Sequence, residues 1–189
     1  MFFFKKKTII NLDFRKGNYY KMKITKKLII NCCIFLLAVV AVFLMFAPFV
    51  NYSKETIIGN LQSSFTGFQT AFGYTASSTG FGVTVNTKVL SASFGGIMVF
   101  AFFIAIAVLA CLNVFLKNKK LNMLFNIIIM VLAVIATIFL FCAPTGLMFL
   151  NADGKAIDGY GLGAGAIVDA ILMIVVAAGA AVGQFVVKD

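Results

Sequence analysis

The chain has 189 residues, of which 62% are hydrophobic and 12% charged, with a formal net charge of +10 and a mean hydropathy of +1.05. This composition excludes an ordinary water-soluble domain and requires lipid as the solvent. The basic balance by itself does not argue for nucleic acid, because no RNA- or DNA-binding motif accompanies it.

Residues 1–27 form a basic tail with nine cations: Lys5, Lys6, Lys7, Arg15, Lys16, Lys21, Lys23, Lys26 and Lys27. Near an anionic headgroup surface each contributes about 1 kcal/mol of attraction. Within the tail, Arg15-Lys16-Gly17-Asn18 is what a purine-rich stretch such as AGA-AAA-GGA-AAT encodes, and that stretch resembles a bacterial ribosome-binding site. Met22-Lys23-Ile24-Thr25 follows a few codons on. Two readings stand side by side: Met22 is the native start, which makes the source bacterial, or residues 1–21 are an authentic basic tail.

Four apolar runs follow, 28–50, 94–116, 121–143 and 162–187, of 23, 23, 23 and 26 residues. At about 1.5 Å per residue, each exceeds the roughly 30 Å of a bilayer's hydrocarbon core. The first is too long for a secretory signal, and no small-x-small cleavage site follows Pro48. Three lysines (Lys117, Lys119, Lys120) fill the 117–120 loop and Lys188 stands in the 188–189 tail, whereas 51–93 and 144–161 hold only Lys54, Lys88 and Lys155, offset by Glu55, Asp153 and Asp158. Because cations accumulate on the untranslocated side, both termini are expected in the cytoplasm and the chain in a plasma membrane, as a multi-pass protein.

The fold expected is an all-α, up-down bundle of four transmembrane helices. Phe43-Leu44-Met45-Phe46-Ala47-Pro48 matches Phe139-Leu140-Phe141-Cys142-Ala143-Pro144, and runs one and three are both entered through Lys-Lys-Leu. Runs two and four open on glycines: Gly95 and Gly96 in one, Gly161, Gly163 and Gly165 in the other. This pattern suggests two duplicated helical hairpins, with a pseudo-twofold axis along the membrane normal. Convergent use of Pro to stop a helix gives the same Ala-Pro ends.

In the larger outer segment Ile57, Ile58, Leu61, Phe65, Phe68 and Phe72 recur at helical spacing and predict an amphipathic helix on the outer leaflet or on the bundle. Behind it Phe81, Val83 and Val85 alternate like a short strand, which points to a small strand pair. A large first and small second outer loop is the outline of claudin-type tetraspan proteins. The chain has no Trp, and no Cys in 51–93, so the tryptophans and cysteine pair of that family are missing and it is not assigned.

No catalytic, cofactor or metal signature is present: there is no His, no Cys-x-x-Cys and no acidic cluster. Cys32, Cys33 and Cys111 fall near one face and Cys142 near the other, so no outer disulfide is expected. Asp169 is the sole carboxylate in the four runs. A charge within a bilayer is costly unless paired, hydrated or protonated, which makes Asp169 the candidate proton or cation site. Pairing with Lys155 or Lys88, or a hydrogen bond from Thr137, is the structural alternative. Asn31, Asn113, Asn126 and Gln184 each stand a few residues inside one boundary of a different helix and are expected to form an interhelical polar layer. Gly179-x-x-x-Gly183 marks a helix-packing face toward the same chain or another. The role expected is that of a non-enzymatic accessory subunit, with a protein partner or a homo-oligomer; the alternative is a small transporter or channel component that uses Asp169.

Overall fold

The structure, a computed structural model, describes residues 26–56, 59–80, 83–116, 118–143, 148–155 and 160–187. The basic tail before Lys26, the candidate start at Met22, Ile57, Ile58, Phe81, Pro144, Asp158 and Lys188 lie outside the described residues. In chain order the elements are α1 (Lys26–Leu44), β1 (Pro48–Thr56), β2 (Gly59–Thr66), α2 (Gly67–Phe72), β3 (Tyr74–Gly80), β4 (Val83–Leu90), α3 (Phe94–Phe115), α4 (Lys119–Phe141), β5 (Tyr160–Leu162) and α5 (Ala164–Ala181), which runs on into a π turn at Val182–Val186.

Among the described residues four helices are long and apolar enough to cross a membrane: Lys26–Leu44, Phe94–Phe115, Lys119–Phe141 and Ala164–Val186. They form a ring in which α1 packs on α3, α3 on α4, α4 on α5 and α5 back on α1. Neighbours run antiparallel. Asn113 and Phe102 on α3 meet Asn126 and Phe139 on α4, and Gly179 and Gly183 on α5 lie beside Ile34 and Ile30 on α1. The outward faces carry exposed Leu36, Val40, Ile104, Val108, Val134 and Ile171, a surface suited to lipid rather than water.

The run expected to be helical through Val50 stops as helix at Leu44. Pro48 removes one backbone donor, and its ring clashes with the carbonyl four residues back, that of Leu44. Phe49 and Val50 are fully buried, but as part of β1.

The expectation of an all-α protein needs correction, because two small sheets cap the end of the bundle where α1 and α4 end and α3 and α5 begin. One has the order β2-β1-β5 and the other pairs β3 with β4. The predicted amphipathic helix is also corrected: its first part is strand β2, paired with β1 from Pro48↔Thr66 to Thr56↔Gly59, and only Gly67–Phe72 is helical. Thr66 sits at the boundary in an extended conformation (φ −76°, ψ 159°). Its hydroxyl accepts from the Gln69 amide (3.2 Å) while the Gln69 side chain accepts from the Thr66 amide (2.9 Å). This capping box fixes a helix start at Gly67 and leaves the preceding Ser/Thr/Asn-rich segment to pair as a strand.

The two halves of the chain bury largely corresponding positions. On α1 the inward residues are Asn31, Ile34, Ala38 and Ala41, and on α4 Asn126, Ile129, Ala133 and Ala136 repeat them residue for residue, 95 positions on. On α3 the stripe is Gly95, Gly96, Val99, Phe103, Ile106, Ala110 and Asn113; 70 positions on, Gly165, Ala166, Asp169, Met173, Val176, Ala180 and Gly183 are buried on α5 and its π turn, with Ala170 buried beside them. The connections cross over in the same sense. The strand leaving α1 pairs with the strand entering α5 (Val50↔Leu162), and the segment leaving α4 bridges to the end of the strand that leads toward α3 (Asn151↔Leu90).

Aromatic rings lock the cap to the bundle. Phe68 stacks on Phe46 (5.5 Å) and packs with Phe72 (4.7 Å), and Phe72 meets Phe100 edge-on (5.6 Å). Such pairs contribute roughly 0.5–1.5 kcal/mol each beyond area burial. Tyr160 of β5 lies 4.8 Å from Tyr52 and 5.8 Å from Phe149. Burial, and then the neighbouring Tyr52 phenol, hold its hydroxyl above the usual tyrosine range, so it stays neutral near neutral pH.

At the entry to α5 the backbone of β1 comes close enough to exclude a side chain. A Cβ on Gly163 would lie 2.6 Å from the Pro48 carbonyl oxygen and one on Gly165 2.9 Å from the same atom, and neither contact can yield without moving backbone. Gly163→Ala should therefore cost about 1–3 kcal/mol, read as a lower melting temperature in detergent. Gly161→Ala, where a Cβ meets nothing within 4 Å, serves as the near-neutral control.

Candidate functional site

Two groups of buried polar side chains interrupt the apolar interior, one toward each end of the bundle. At the Lys-rich end, Asn113 and Asn126 are about 2% and 1% exposed, and the Asn113 side-chain amide donates to the Asn126 carbonyl oxygen at 2.7 Å. Asn122, 7% exposed, donates to the Asn113 backbone carbonyl at 3.4 Å. Asn122 is absent from the sequence-based layer. It lies one turn before Asn126, so helical spacing alone places it on the same face.

The other two expected members are not drawn into this network. Asn31 is buried, but its Oδ1 has no partner among the described residues, and neither has the Oε1 of Gln184. The repeat explains Asn31. The residue on α5 that occupies the place of Asn113 is Gly183, which offers no amide to the asparagine on α1. Gln184 stands one residue along, inside the π turn, and is half-buried.

Gly179 and Gly183 face α1 of the same chain. A Cβ on Gly179 would stand 3.4 Å from the Ile34 side chain, and one on Gly183 would stand 3.2 Å from that of Ile30. This small-residue face therefore closes the ring between α5 and α1, as small-xxx-small surfaces do in close helix pairs.

Near the cap end stands Asp169, five residues after Ala164, so about 7.5 Å along the helix from its start. It is 0% exposed, and neither carboxylate oxygen has a hydrogen-bond partner among the described residues. The alternatives weighed for it are not met. The Thr137 hydroxyl donates to the Ala133 carbonyl one turn back (2.8 Å), and Lys88 and Lys155 are exposed in the cap. Its neighbours on the buried stripe are Ala166, Ala170 and Met173. Among the described residues no three His, Cys, Asp or Glu side chains group together.

The cap meets the bundle through Ser93, which is buried and starts α3. Its hydroxyl donates to the Thr70 carbonyl (2.9 Å) and accepts from the Gly96 amide (3.1 Å), while its own amide donates to Ala71 (3.0 Å). One side chain thus joins α2 to α3. Asn151 organises the turn after α4, its Oδ1 accepting from the amides of Asp153 and Lys155.

No family model, no curated protein and no solved structure matches the chain. The site is therefore read from its own chemistry.

The buried amide pair leads to a quantitative expectation. Asn126→Ala should cost about 1–2 kcal/mol, and a double-mutant cycle with Asn113→Ala should give a coupling of about 0.6–2 kcal/mol, the range for interhelical hydrogen bonds in membranes, measured by unfolding in detergent micelles.

Proposed function

We propose that the chain is a non-enzymatic, multi-pass protein of a bacterial plasma membrane, built from two copies of one helical hairpin, and that it serves as an accessory subunit that binds a protein partner on the outer side. In this reading both termini are cytoplasmic and the Lys-rich end meets anionic headgroups.

The observation that supports it is the β3–β4 ribbon. Its register alternates two kinds of cross-strand pair: Thr79 with Thr84 and Ser77 with Asn86 on one face, Gly80 with Val83 and Ser78 with Val85 on the other. The polar face is closed on itself by the Ser77–Asn86 (2.7 Å) and Thr79–Thr84 (3.1 Å) hydrogen bonds. The other face leaves Val83 62% and Val85 56% exposed. A two-stranded ribbon with neither face covered is marginal in water. Its edges lack proline, and Lys88 is the one charge along Tyr74–Gly80 and Val83–Leu90, although charge and proline are what usually block strand addition. A polypeptide that adds a strand and covers the valines would satisfy both.

The small-residue face of α5 is used within the chain, so it gives this reading no support, and the ribbon alone carries it. Replacing residues 75–88 with a short Gly-Ser turn should leave the four helices and their melting temperature in detergent within about 1 kcal/mol of the parent. The same change should abolish the near-stoichiometric partner recovered by mild crosslinking and purification from native membranes. Undiminished recovery of that partner, or recovery of the parent chain alone, would count against a docking ribbon.

A further inference from the structure

The position of Asp169 in the repeat identifies what its carboxyl is for. Seven buried positions of α3 recur 70 residues on, Ala170 being the buried residue of α5 whose counterpart, Phe100, is only partly buried, and the residue that takes the place of Asp169 is Val99. Both are 0% exposed. Five flanking pairs exchange small for small or bulky for bulky, Gly95 with Gly165, Gly96 with Ala166, Phe103 with Met173, Ile106 with Val176 and Ala110 with Ala180, while next to Asp169 Ala170 stands where α3 has the partly buried Phe100. The architecture thus holds valine at this place in one half, and packing does not require an acid in the other. Asp and Val are close in volume, so the substitution changes charge and polarity while keeping shape.

A carboxylate kept where shape does not demand it, with neither oxygen partnered among the described residues, stands ready for a ligand. A metal ion needs several oxygen donors. The buried residues of α1 and α4 toward this end are Ala38, Ala41, Met45, Ala133, Ala136 and Leu140, and they offer none. A proton needs one oxygen. We propose that Asp169 is a reversible proton-binding site inside the bundle, loaded and unloaded from the cap end. On loading, an O–H bond forms on one carboxylate oxygen with the electron pair already there. On unloading, that bond breaks and the proton passes to water entering between α5 and β1. An ionised carboxylate in a dry apolar interior costs several kcal/mol, so unloading is coupled to hydration of the site, and the tight Gly163–Pro48 and Gly165–Pro48 approaches are the contacts that must loosen.

Few other ionisable groups stand near this level on the elements packed against α5. On α1, Lys26 and Lys27 begin the far end and Cys32 and Cys33 follow them. On α4, Lys119 and Lys120 are again at the far end and Cys142 caps the near one. On β1, Tyr52 follows Val50 and pairs with Tyr160 of β5, with Lys54 and Glu55 further along the strand.

The test uses the full chain in lipid vesicles and a hydrophobic carbodiimide, which adds to a protonated carboxyl in an apolar site to leave a stable N-acylurea and does not add to a carboxylate. Peptide mass spectrometry should find one reagent molecule on Asp169 at mildly acidic pH, with the yield falling about tenfold per pH unit above its midpoint. Asp169→Val, which makes the two halves alike, should be unlabelled and should melt at or above the parent's temperature. Asp169→Asn should be unlabelled and folded. Absence of the adduct at every pH, or a yield that does not change with pH, would overturn the proposal. So would loss of the folded bundle in Asp169→Val, because the acid would then be a packing requirement. None of these readings depends on the β3–β4 ribbon, so the site and the docking surface stand or fall separately.

Discussion

Helices that sit in lipid gain nothing by turning apolar side chains away from their solvent, so their association rests on close packing and on a few polar contacts. The bundle answers this constraint with two kinds of buried stripe. Those of α1 and α4 are narrow around Ala38 and Ala41, and Ala133 and Ala136, while those of α3 and α5 are bulky at the same depth, with Phe103 and Ile106, and Met173 and Val176. Because the ring runs α1, α3, α4, α5, every interface sets a narrow stripe against a bulky one. Dispersion contacts accumulate over such interdigitated surfaces even though each is small. The same alternation suits a closed ring: each half of the chain contributes one stripe of each kind.

Polar backbone groups impose the second constraint, at the cap end. Once a helix stops, its last carbonyls and the next helix's first amides need partners. At α5 this is met by the Gly163 amide donating to the Phe49 carbonyl (2.8 Å), and at α3 by the Ser93 side chain and its bond to the Gly96 amide. Ser93 and Gly163 occupy corresponding places 70 residues apart. One half solves the problem with a side chain. The other solves it with the β1 backbone, which reaches α5 only because no Cβ intervenes.

Hydropathy made the four long helices legible, because period and length are local properties that survive any tertiary arrangement. The cap was less so. Phe65, Phe68 and Phe72 fit helical spacing, but Phe65 belongs to a strand and the other two to a six-residue helix. The deciding signal was the Thr66-x-x-Gln69 capping box, which outweighs an apolar period of marginal length. The Ala-Pro ends of runs one and three belong to the two helices whose buried stripes correspond, but at a different spacing. Those motifs lie 96 residues apart, whereas the buried stripes repeat at 95. Asp169 was visible as an isolated charge. Its equivalence to Val99 was not, because α3 and α5 share burial rather than residue identity. The network around Asn113 was legible as a set of amides at similar depth, but which of them bond depends on side-chain reach across a particular interface.

The pairing of β1 with β5 joins residues about a hundred positions apart, and it bears on how the chain matures. β1 can fold back on β2 as soon as both have emerged, since they are contiguous. Its other edge has to wait for β5, which follows α4 in the chain and leads directly into α5. The entropy of closing so long a loop grows only with the logarithm of its length, and membrane insertion has already restricted the ends. The sheet behaves as a clasp that shuts last. Until it shuts, that edge of β1 is a row of backbone donors and acceptors without a strand beside it.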